Sequence, residues 1–102
     1  MFDMLKKLNE AQRVMKEVKE RLDGTEVEGC SPGKKVCVTL TASKNCISVK
    51  LNDPSLCGNV NDLELHFTQA LNEALAKADE VSQKEMKSAA GNDIPGMGGL
   101  IP

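Results

Sequence analysis

The longest uninterrupted pattern in the chain is helical. Leu63, Phe67, Ala70, Leu71, Ala74, Ala78 and Val81 recur at helical spacing, and the pattern runs on to about Met86. At 1.5 Å per residue, residues 62–86 would make a rod about 37 Å long. Strands of five or six residues span only about 17–20 Å. A second stretch, "DMLKKLNEAQRVMKEVKERL" (3–22), raises the same difficulty. Its Leu8, Met15 and Leu22 are seven apart, Met4, Ala11 and Val18 interleave with them, and Leu5 lies beside this face. Gly24 follows where helices commonly end. Both helices must overshoot any sheet the remaining residues can form. Their projecting apolar stripes would meet water at a cost of about 25 cal/mol per Å². A homodimer in which the helices cover one another removes that cost.

Between the helices the period changes from helical to alternating. "TEVEGC" (25–30) reads as a first strand, closed by the turn Ser31-Pro32-Gly33. In "KKVCVTLT" (34–41), Val36, Val38 and Leu40 face one way and Cys37, Thr39 and Thr41 the other. "CISVKL" (46–51) alternates again, with Ile47, Val49 and Leu51 expected inward. Short polar connections make these an antiparallel meander with one buried face. In "ISVKLNDPSL", Pro54 cannot donate to a ladder and Asp53 and Ser55 favour a turn, so the segment is a strand terminator rather than a catalytic loop. Asn61 is the expected N-cap of the second helix, with Glu64 completing a capping box. The expected fold is α+β: helix, three-stranded antiparallel β-meander, long helix, forming a tight homodimer with projecting helices. Residues 1–90 form one domain, since 102 residues do not support two cores. Residues 91–102, with Gly91, Pro95, Gly96, Gly98, Gly99 and Pro102, read as a flexible tail.

Little in the chain points to catalysis. Phosphate-loop, nucleophile-elbow and H-E-x-x-H motifs are absent, and no catalytic residue is assigned. His66 is the only histidine, and no partner nucleophile is apparent for it. Six, eight and ten residues separate Cys30, Cys37, Cys46 and Cys57, whereas structural zinc sites usually bring ligands in close pairs. No metal or cofactor is therefore expected. The opening Met1-Phe2-Asp3-Met4 runs into Lys6-Lys7 without the apolar core of a signal peptide, and no apolar run approaches a membrane span. The expectation is a cytoplasmic protein without disulfides, with no membrane partner and no small-molecule substrate. With only Phe2 and Phe67 as aromatics, the composition argues against a stacking platform for single-stranded nucleic acid. The net charge of −2 supplies no global field for DNA. Glu10 with Arg13 and Glu17 with Arg21 have the spacing of helical ion pairs, which reads as a solvated face.

Four stretches nevertheless resemble the YbaB/EbfC family of bacterial nucleoid-associated proteins: "MLKKLNEAQRVMKEVKERLDGTEVEG", "VKLNDPSL", "ALNEALAKADEVSQKEM" and the closing "IPGMGGL". They cover most of the chain in the family's order. The chain departs from the family pattern at Ala42-Ser43, where a hairpin glycine is usual, at the extra Asn52, and at Cys57, where a larger apolar residue is common. The resemblance implies a dimer that binds duplex DNA in the nucleoid with little or modest sequence preference, serving chromosome organisation and gene regulation. It points to Lys6, Lys7, Arg13, Lys16, Lys84 and Lys87 on the projecting helices as DNA contacts. Leu8, Met15, Val18, Leu22, Phe67 and Leu71 are the expected dimer interface. A competing reading is a dimeric protein-interaction module acting in DNA recombination or repair, with Ile94, Met97, Leu100 and Ile101 of the tail as docking residues.

Overall fold

The computed structural model describes residues 2–93. Helix α1 (Phe2–Asp23) leads into strands β1 (Glu26–Cys30), β2 (Val36–Thr41) and β3 (Cys46–Leu51), and the chain closes with helix α2 (Val60–Asp93). Short 3₁₀ turns at Pro32–Lys34 and Pro54–Gly58 make two of the corners. The strands form one antiparallel sheet in the order β1-β2-β3. The architecture is α+β, in the expected order of elements.

One face of the sheet is covered by α2, and the approach is very close. Val36, Val38, Leu40, Leu56, Ala70 and Ala74 form the buried core, with Val27, Leu63, Leu71 and Leu75 packed around them. Alanine side chains bring the helix backbone down onto β1, where Gly29 lies beneath Ala70 and Ala74. A Cβ at Gly29 would sit 2.1 Å from the Ala74 nitrogen and 2.6 Å from the Ala70 carbonyl oxygen. At this position no side chain fits.

From that seat α2 continues well past the sheet. Its contacts progress along the molecule from His66 with Ser31, through Lys77 with the Glu28 carbonyl and Asp79 with Lys44, to Glu85 with Arg21. Beyond Asp79 it runs antiparallel to α1. Val14, Val18, Leu22, Ala42 and Ala89 form a second buried cluster there, joined by Val81. Sheet and helical arm together extend 64 Å along the longest axis. The radius of gyration is 18.6 Å, against about 13 Å for a compact chain of this size.

Several expectations are corrected. α2 begins at Val60 and its N-cap is Asn59, not Asn61: the Asn59 Oδ1 accepts the Asp62 N–H at 3.2 Å, and its Nδ2 donates to the Asp62 carboxylate at 2.9 Å. The helix runs to Asp93 rather than Met86, taking in residues 91–93 of the expected tail. Ile94, Met97, Leu100 and Ile101 lie outside the described residues. In α1 the buried stripe is Val14, Val18 and Leu22, with Leu8 and Met15 exposed. Arg21 pairs with Glu85 across the helices at 2.8 Å, not with Glu17.

The largest difference is at β3. Register places Leu51 opposite Val36 and Val49 opposite Val38, so both point to the α2 side of the sheet. Pairing then steps from Thr39–Ser48 to Leu40–Cys46, passing over Ile47 as a β-bulge. Yet α2 lies over β1 and β2, and Ile47, Val49 and Leu51 are 51, 42 and 45 % exposed. Alternation correctly assigned the faces of Val49 and Leu51, but among the described residues no helix lies over them. Finally, Cys30 and Cys37 are joined as a disulfide across β1 and β2, against the expectation of free thiols. Their direct pairing in the ladder brings the two sulfurs together despite six intervening residues.

Candidate nucleic-acid interface

The basic residues divide into two groups by surroundings. Near the sheet, three lysines have carboxylate partners, Lys35 with Asp53 at 3.9 Å, Lys44 with Asp79 at 2.5 Å, and Lys77 with Glu73 at 3.2 Å, while Lys34 and Lys50 enter no ion pair among the described residues. Lys77 also donates to the Glu28 carbonyl oxygen at 2.8 Å. The Glu73 carboxyl is held below its ordinary range, chiefly by the Cys30 N–H and then by Lys77. The Lys44 and Lys77 contacts bind α2 to the sheet.

The arm differs. Lys6, Lys7, Arg13 and Lys16 on α1, and Lys84 and Lys87 on α2, are all exposed. Among the described residues none of the six enters an ion pair. Arg21 is the arm cation that does, and its bond to Glu85 ties the two helices together. Helical spacing puts Lys16 and Arg13 farthest from the Val14, Val18 and Leu22 stripe that meets α2, with Lys6 nearer the flank and Lys7 on the stripe's own side. Lys16 and Lys19 border an open groove with Met15, Val18, Leu22, Ser82 and Met86. Lys19 is exposed in the same way as the six, and it lies outside the expected set. The arrangement offers separated point charges along a rod, suited to contacting phosphates one at a time.

The expected interface residues fall into different environments. Val18 and Leu22 are buried within the chain by α2, and Leu71 is half-buried against the core. Leu8, Met15 and Phe67 are exposed. Phe67 lines a groove of about 400 Å³ with Val49, Leu51, Leu63, Glu64 and Thr68, directly beside the uncovered part of β3. At the arm tip, Met4, Leu5 and Leu8 make a second exposed apolar patch around Lys7.

The groups considered for chemistry have structural partners. His66 Nδ1 lies 2.9 Å from the Ser31 Oγ, which also accepts the Val36 N–H at 3.1 Å. With Ser31 3 % exposed, this is an internal clasp between α2 and the β1–β2 turn. Asp53 accepts the Ser55 N–H at 3.0 Å and the Ser55 hydroxyl at 2.6 Å, capping the corner that leads to α2. These bonds, with Lys35 nearby, hold the Asp53 carboxyl below its usual range.

An elongated two-helix arm, its exposed lysines and arginines interleaved with acids, projecting from a small three-stranded sheet defines a class of α+β proteins. The chain belongs to the YbaB/EbfC DNA-binding family, whose model matches residues 1–93. It is 40 % identical to a nucleoid-associated protein of Afipia carboxidovorans, over 93 % of this chain and 92 % of that one. A nucleoid-associated protein of Dictyoglomus turgidum is 36 % identical over 85 % of each chain. The crystal structure of an uncharacterized Helicobacter pylori protein shares the fold, with a TM-score of 0.77 at 18 % identity, covering 89 % of this chain and 98 % of that one. Among the described residues no helix is long and apolar enough to cross a membrane.

Proposed function

We propose that this protein acts in the nucleoid as a homodimer that binds duplex DNA with little or modest sequence preference, contributing to chromosome organisation and gene regulation. The carrying observation is that Lys6, Lys7, Arg13, Lys16, Lys84 and Lys87 stand exposed along the arm with no ion pair among the described residues, whereas Lys35, Lys44 and Lys77 at the sheet are paired with carboxylates. Lysines and arginines that touch phosphate position a duplex without reading its sequence. A net charge of −2 means that attraction acts locally, between these side chains and the phosphates nearest them.

A homodimer is supported by the uncovered inner face of β3. Val49 and Leu51 continue the same apolar surface as buried Val36 and Val38, and Phe67 and Leu63 wall it on the α2 side. A second copy presenting the same face would complete that surface by isologous contact. Two arms would then offer two sets of cations to one duplex.

The test is DNA binding by fluorescence anisotropy at two salt concentrations. Binding is expected at low salt, falling steeply as salt rises, with a logarithmic slope of about −0.9 per phosphate contacted. The double reversal Lys6→Glu/Lys7→Glu weakens binding about tenfold or more at low salt. Absence of binding at low salt overturns the proposal. The exposed Met4, Leu5 and Leu8 at the arm tip favour a second reading, a dimeric interaction module for a recombination or repair protein. That reading is supported instead if Leu5→Glu abolishes function in the cell while DNA affinity stays unchanged.

A further inference from the structure

The outer face of the sheet carries a cluster that DNA binding does not use. Cys30 and Cys37 are the last pair of the β1–β2 ladder, with Cα atoms 4.1 Å apart and their sulfurs bonded. Glu28 precedes Cys30 by two residues on the same side of β1, and its Oε1 lies 3.6 Å from the Cys30 Sγ. The ligand atoms of all three lie within 4.8 Å of one another. We infer that in the reduced protein Cys30, Cys37 and Glu28 bind one thiophilic divalent cation, Zn²⁺ or its analogue Cd²⁺.

The spacing suits such an ion. In a tetrahedral zinc site, sulfur at about 2.3 Å and carboxylate oxygen at about 2.1 Å from the metal are about 3.6 Å apart. This matches the separation of Glu28 and Cys30. Two thiolates on the same ion sit about 3.8 Å apart, a separation open to this directly paired couple once its S–S bond is broken. That step takes two electrons and two protons from a dithiol reductant, which leaves as its own disulfide. The cation then displaces the two thiol protons.

The surroundings favour the charged ligands. Lys50 pairs with Cys37 across β2 and β3, so its ammonium shares the face with the thiolates and favours their formation. Three anionic ligands and a divalent ion leave one negative charge, which Lys50 offsets. The Asn52 Nδ2 lies 3.6 Å from the Cys37 Sγ, placed to support it from the outer shell. Cys37 is buried, Cys30 half-buried and Glu28 exposed, so the fourth position opens to solvent. The usual sequence signature of zinc misses this set because the ligands come from two strands of a hairpin rather than from one short knuckle.

The test uses the full chain carrying Cys46→Ser and Cys57→Ser, reduced with dithiothreitol, freed of reductant anaerobically and titrated with Cd²⁺. The expected result is two titratable thiols and a thiolate-to-cadmium charge-transfer band that saturates at one ion per chain. Cys30→Ser removes most of the band, and Glu28→Gln weakens binding about tenfold or more while circular dichroism stays native. No band with two free thiols, a pair that stays oxidised under dithiothreitol, or unchanged affinity in Glu28→Gln would each overturn the site. Because Glu28 is exposed, that variant reports on binding without disturbing the core.

Discussion

Gly29 and Asp53 show how single residues set this fold by different physics. At Gly29 the constraint is steric: a methyl group would meet backbone atoms of Ala70 and Ala74, which cannot rotate away. Gly29→Ala is therefore expected to destabilise by about 3 kcal/mol or more, at the upper end of overpacking costs, read as a drop in the urea midpoint. At Asp53 the constraint is a set of hydrogen bonds that favour the charged form. A carboxylate whose folded pKa is depressed binds protons more tightly when unfolded, so stability rises with pH through that window. Asp53 thus stabilises the fold above its unfolded pKa, and this contribution is lost as pH falls through the lowered folded value. Asp53→Asn should reduce stability at neutral pH, and the difference from the parent should vanish in acid, as followed by denaturation at stepped pH. The sequence made the Asp53 corner legible, since Asp, Pro and Ser act locally. It did not separate Asn59 from Asn61 as the cap, because both precede an acid by three residues and only the chain path decides.

At the scale of elements, the informative case is α1. The heptad reading selected Leu8, Met15, Val18 and Leu22, but the seam against α2 is Val14, Val18 and Leu22. In that seam Val14, Val18 and Leu22 pack with Ala89 and Val81 of α2. Leu8 and Met15 lie to one side of that seam at helical spacing and remain exposed. Periodicity reports that a helix has an apolar face, but its exact centre depends on where the partner helix lies. Val14→Ala is expected to cost about 1–3 kcal/mol through the lost methyl groups and the void they leave. Hydrogen exchange should show faster opening in α1 and in residues 81–89 of α2, with the sheet unchanged. Equal acceleration everywhere would mean that arm and body unfold as one unit.

For the whole molecule, the mismatch between long helices and short strands was legible before any coordinates, and it appears as the 64 Å length of the chain. The uncovered side of β3 was not legible. Alternation in Val49 and Leu51 states which way side chains point, but whether a helix arrives above them is a property of α2's path, drawn toward β1 by Gly29. If a second copy covers that face, light scattering should give twice the 11.0 kDa chain mass at micromolar concentration. Val49→Lys should then give a folded monomer whose DNA binding is weaker and less steep in salt. A monomeric parent protein would remove the dimer from the proposal and leave arm binding standing.

Between Val60 and Ala90, α2 contains neither glycine nor proline. A single unbroken helix therefore joins the sheet to the arm, and the body has no hinge along it at which to swing. Bending such a rod is costly, so its end keeps a set angle to the sheet. In a pair built on β3, the gap between the two arms would be set at the sheet, like the jaws of a locked caliper. A duplex entering that gap would conform to the protein, and its ease of bending would weigh in the affinity alongside its charge.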